Sequence, residues 1–117
     1  MDLIASAVAG GSFSPDRIAA LLRTTKEEVA ATAGLSRDAV ARRARVGSPA
    51  TQTRLRELVE ILNRVEPWAG SALAAYAWYR SQPLPGFAGR TAEMLVREGH
   101  AAAVRAYLDE VALGGFA

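Results

Sequence analysis

In the stretch KEEVAATAGLSRDAVARRARVG, residues 26–47, Ala30, Gly34 and Val40 stand four and six positions apart. That spacing lets two short helices cross about a tight turn. A small side chain is needed where the helices touch, and a glycine where the turn takes a positive φ. An apolar residue in the second helix then locks it onto the first. The stretch reads as a helix-turn-helix. Ser36, Arg37 and Asp38 would open the second helix, whose first residues face base edges in such motifs. Arg42, Arg43 and Arg45 follow on its outer face and beyond its end, suited to phosphates or guanine edges. The plainer reading is a helical hairpin with a solvated basic face. A single copy would bind DNA weakly, so specific recognition implies a dimer reading two half-sites.

Local signals extend the helical reading along the chain. Ser14 caps a helix with Pro15 at its first position and Asp16 at its positive end. Thr25 with Glu28 forms a capping box. After the GSP break an amphipathic helix runs from about 51 to 65 through Leu55, Leu58, Val59, Leu62 and Val65. Pro67 then opens a helix with Trp68, Leu73, Tyr76 and Ala77 on one face, Tyr79 a further candidate for it, and the aromatics Trp68, Tyr76, Trp78 and Tyr107 read as core. QPLPGFAG, residues 82–89, is a connector that cannot be regular helix. Two further helices follow, one from Thr91 to Gly99 and one carrying Val104, Tyr107, Leu108 and Val111. The chain thus reads as all-α, with about six short helices. Residues 1–13 form a loose leader, disordered or at most a marginal short helix. Residues 14–65 form a helix-turn-helix bundle, and residues 66–117 a second small helical domain.

Composition agrees with this class. Half of the 117 residues are apolar, alanine is abundant and β-branched runs are absent. Without cysteine there is no disulfide framework and no thiolate metal site, and the cytoplasm is the default compartment. The N-terminus lacks the basic region of a signal peptide, and no segment approaches the length that crosses a bilayer. Residues 1–65 hold ten Lys/Arg against seven Asp/Glu, while 66–117 hold four against five, so the two halves suit different partners.

An enzyme is not expected. His100 is the only histidine and reads as a surface or capping residue. The acids are scattered among arginines at the spacing of solvated ion pairs, and no phosphate-cradling glycine loop follows a strand. No catalytic residue, metal ligand or cofactor site is expected.

The second half carries a denser pattern. AWYRS around Trp78 is followed by the connector PLPGFAGRTA, then by EMLVREG, and finally by YLDEVALGGFA. In this order the segments resemble the toxin-binding domain of the Xre/MbcA/ParS antitoxin family, whose members usually carry a helix-turn-helix upstream. Where many members have proline after the connector threonine, this chain has Ala92, which can also begin a helix. The resemblance implies a type II antitoxin whose partner is a RES-domain toxin that degrades NAD+ or uses it for ADP-ribosylation. It further implies that the C-terminal region lies over the toxin's cleft and obstructs it. Gly114 and Gly115 would give a bendable lead and Phe116 an apolar anchor. The carboxylate of Ala117 would suit an arginine-lined phosphate site. Arg80, beside the connector, is a further candidate contact, and Phe116 packed on its own domain is the competing reading. A fragment of residues 66–117 is expected to bind the toxin.

Two functions are therefore expected of different sequence features. One is an antitoxin that plugs its toxin and represses its own operon through operator DNA, as a homodimer or a toxin–antitoxin hetero-oligomer. The other is a stand-alone helix-turn-helix regulator whose second half only dimerises. A tail with a specific sequence is needed by the first and not by the second.

Overall fold

The computed structural model describes residues 2–114, and Gly115, Phe116 and Ala117 lie outside the described residues. The first elements occupy the stretch that the sequence suggests is a loose leader. Helix α1, Leu3–Ala7, is capped by Asp2, whose carboxylate accepts from the N–H groups of Ile4 and Ala5. Strands β1, Val8–Ala9, and β2, Ser12–Phe13, pair antiparallel with Val8 opposite Phe13. The turn between them is Gly10–Gly11, both at positive φ, the backbone that two-residue hairpins require. The order of this segment has a physical source. Leu3 and Ala7 are buried in the core, and Leu3 N–H donates to Asn63 Oδ1 at 2.9 Å.

Next come α2, Pro15–Leu22, and α3, Lys26–Thr32, with Ser14 and Thr25 accepting from Arg17 N–H and Glu28 N–H as their caps. The second helix of the turn motif is short. It is α4, Arg37–Ala41, and the chain leaves helical geometry at Arg42 (φ −104°, ψ 122°) before α5, Arg43–Val46.

Helix α6, Pro49–Ala69, corrects two expectations. It begins earlier than 51, with Ser48 as cap and Pro49 at its first turn, and it runs through Pro67 instead of ending before it. Pro67 falls in the last turn, so the amide it lacks removes a single bond, to the carbonyl of Asn63, close to where the helix stops. Gly70, at φ 103°, ends α6 in the left-handed conformation, and Ser71 caps α7, Ala72–Ser81. Helices α8, Ala92–Arg97, and α9, Ala101–Ala112, complete the described residues. The all-α class stands, with nine helical segments among the described residues instead of about six.

One apolar core runs through both halves of the sequence. Ile18, Leu22 and Val29 meet Leu55, Leu58, Ile61, Leu62 and Val65 of α6, and these meet Tyr79, Leu95, Val96, Val104 and Leu108. The long helix is the shared element: α1 and α7 pack along it, and α5, α9 and β2 touch it.

Candidate functional site

The turn motif has the geometry its residues require. Ala30 and Val40 are buried, and Gly34 sits at φ 78°. The N–H of Leu35 donates to Ala30 carbonyl at 2.8 Å and that of Gly34 to Ala31 carbonyl at 3.2 Å, closing the turn. Ser36 precedes α4 at its N-cap, though its side chain makes no capping bond, and Arg37 and Asp38 stand exposed in the first turn. Arg42 occupies the break between α4 and α5, while Arg43 and Arg45 lie on α5, all exposed. The five-residue α4 therefore holds only part of the basic run, and the break re-aims the rest. Among the described residues, Arg37, Arg42, Arg43 and Arg45 form no ion pair. Their charge is turned to solvent.

One polar residue that the sequence reading passed over holds this region in place. The amide of Gln52, on α6, accepts from Phe13 N–H at 2.8 Å and donates to Phe13 carbonyl at 3.0 Å and to Val46 carbonyl at 2.9 Å. It fastens the outer edge of the hairpin and the end of α5 to the long helix.

In the second half the connector is ordered by its own backbone. Leu84 is buried, its N–H donates to Arg90 carbonyl, and Pro83 bridges to Thr91. Thr91 caps α8 by accepting from Met94 N–H, and buried Ala92 takes the first helical position. His100 precedes α9, exposed and without a side-chain capping bond. Arg80 is ion-paired to Glu28 of α3 and lies 3.6 Å from Glu93 of α8, with its guanidinium 5.3 Å from the Tyr76 ring centre. It is thus spoken for within the molecule. Gly114, at φ 81°, donates to Val111 carbonyl at 2.9 Å just beyond α9.

The two halves are joined by buried polar bonds as well as by the core. Tyr79 donates to Thr32 carbonyl at 2.6 Å, and the Tyr76 hydroxyl lies 3.0 Å from the Thr32 hydroxyl. Arg54 donates to Val96 carbonyl at 2.8 Å. Burial pushes the Tyr79 hydroxyl well above its ordinary pKa, with the nearby Glu93 carboxylate adding to the rise. Burial raises Tyr76 as well, opposed by its bond to Thr32.

The aromatics divide. Tyr76 and Tyr79 are buried and stack at 6.3 Å, as core readings require. Trp68 is 53 % exposed and meets Trp78 only edge-on, at 5.7 Å and 79°. Trp68 is no core residue: it borders a cleft whose other side is Leu108, Val111 and Ala112 of α9. Among the described residues no group of His, Asp or Glu could hold a metal ion, and no helix is long and apolar enough to cross a membrane.

No curated protein and no solved structure matches the chain. Residues 64–114 match the family described as the antitoxin Xre/MbcA/ParS C-terminal toxin-binding domain. The match begins in the last turns of α6 and takes in α7, the connector, α8, α9 and Gly114. That segment is thus similar to the toxin-binding domain of Xre/MbcA/ParS antitoxins, which supports an antitoxin role with a toxin as partner.

Proposed function

We propose that this antitoxin neutralises a RES-domain toxin that consumes NAD+, and that it represses its own operon through the turn motif. The observation that carries the reading is the match over residues 64–114, preceded by two short helices crossing at Gly34 with an exposed arginine run beside them. Residues beyond α9 obstruct the toxin's cleft, with Phe116 as the apolar anchor. Arg37, Arg42, Arg43 and Arg45 meet the DNA backbone and base edges, and a second copy supplies the other half-site. The protein itself performs no catalysis and needs no cofactor, and it acts in the cytoplasm, where NAD+ and the operon are found.

The test is co-expression with the toxin encoded beside it. The full chain restores growth and NAD+ levels. A chain lacking residues 114–117 keeps α9 to Ala112, so it should still co-purify with the toxin yet fail to protect. Full protection by the shortened chain would end the plug mechanism. A neighbouring toxin that leaves NAD+ untouched would end the RES assignment.

A further inference from the structure

Among the described residues, the large apolar side chains that stand exposed are Trp68, Leu73, Met94 and Leu113, and all four fall within residues 64–114. The described residues of the first half expose none of this kind. Singly exposed apolar residues are ordinary, but two of these flank a built groove. Between the end of α6 and the end of α9 lies a cleft of about 290 Å³, lined by Arg64, Trp68, Leu108, Val111 and Ala112. Leu108 is buried at its floor and Trp68 forms a wall. Arg64 and Asp109 form an ion pair at 2.9 Å, with side chains 35 % and 68 % exposed, as a polar rim. Leu113, 88 % exposed, follows directly on the lining residue Ala112.

We propose that this groove is where the toxin is gripped, receiving an apolar or aromatic side chain from the toxin's surface against Trp68 and Val111. The inference rests on the antitoxin reading and adds a place to it. An apolar centre with a charged rim is the anatomy of protein interfaces, and tryptophan is among the residues that dominate their energetics. The toxin is favoured over a second copy because the exposed apolar residues are confined to the segment that belongs to the toxin-binding family. The groove also opens at the point where the chain leaves α9 for residues 115–117. A partner seated there contacts the end of α9, so gripping is an act separable from the plugging proposed for the last residues.

The experiment uses the full chain and the toxin polypeptide encoded beside it, with affinity measured by titration and folding by thermal melting. Trp68→Ala removes the wall. Ala112→Arg fills the groove from an exposed position at the end of α9, where a cation suits the helix dipole and the fold is kept. Each variant should bind the toxin about thirtyfold more weakly, with Ala112→Arg melting as the parent does. If Trp68→Ala melts lower, Ala112→Arg alone decides. Unchanged affinity in Ala112→Arg overturns the proposal. So does a parent dimer that the variants turn into monomers while toxin affinity stays the same, since the groove then serves a second copy. A parent chain that does not bind the toxin at all removes the antitoxin reading itself, which sets that failure apart from a failure of the groove.

Discussion

A methyl group placed on Gly34 would lie 3.1 Å from the Cα of Arg97. The glycine of the turn motif therefore packs directly against the backbone of α8, inside the segment that matches the toxin-binding family. Gly34 answers two demands at once, a left-handed backbone and a close approach between the two halves. The apparent seam between the turn motif and the segment that matches the toxin-binding family is a packed surface.

Gly34→Ala should accordingly cost more than a surface substitution. The left-handed conformation alone costs an L-residue roughly 1–2 kcal/mol, and here the neighbour is backbone that cannot swing away. We expect a loss of about 2 kcal/mol or more in thermal or urea unfolding. Unfolding at the parent midpoint would show that α8 moves freely.

The same packing bears on the fragment of residues 66–117, expected to bind the toxin but to fold poorly alone. That fragment keeps α7, α8 and α9 but loses Leu55 to Val65 of α6, Thr32 beneath Tyr79 and Arg54 beneath Val96. About fifty residues bury too little surface to compensate. Circular dichroism of the isolated fragment should show little helix and no cooperative melt, and a sharp transition would refute this.

Tyr79 gives a pH signature. Its hydroxyl is buried and its pKa lies above the ordinary 10.0, so the folded state favours the neutral form. Stability from this group is fully present below about pH 10 and is lost as pH rises towards the folded pKa, because the unfolded chain ionises first. Tyr79→Phe should lower stability near neutral pH by about 1–2 kcal/mol through the lost bond to Thr32 carbonyl. It should also flatten the alkaline decline. Parallel curves for parent and variant above pH 10 would contradict this account.

Gln52→Leu should loosen the hairpin and α5 together. Three hydrogen bonds of 2.8 to 3.0 Å are lost, and the carbonyls of Phe13 and Val46 are left to water. A loss of about 1–2 kcal/mol is expected, with faster amide exchange at Phe13 as the local readout. Exchange at Phe13 equal to the parent's would remove Gln52 from this role.

Reversal of Arg42 and Arg43 to glutamate should abolish operator binding while melting stays within about 0.5 kcal/mol of the parent, since both side chains are exposed and form no ion pair among the described residues. Parent binding should weaken steeply as salt rises, because phosphate contacts release counterions. Toxin neutralisation should persist in the reversed variant. A normal shift of operator DNA by that variant would move the interface elsewhere.

The sequence by itself determined the helical class, the caps at Ser14, Thr25 and Thr91, the left-handed glycine at position 34 and the connector at 82–89. These features depend on a few neighbouring residues: a side-chain oxygen finding an amide two or three positions on, or a backbone that only glycine adopts without cost. The resemblance in the second half was legible for the same reason, as a run of short signals in order. What only the tertiary structure decided depends on residues far apart in the chain. Leu3 orders the first segment because Asn63 and the core receive it. Pro67 continues α6 because the break it would cause falls in the final turn. Arg80 is engaged because Glu28 comes to lie beside it, and Trp68 stays half exposed because Trp78 meets it only edge-on. Local hydrogen bonds write themselves into sequence spacing, whereas burial and ion pairing depend on which surfaces the packed core brings face to face.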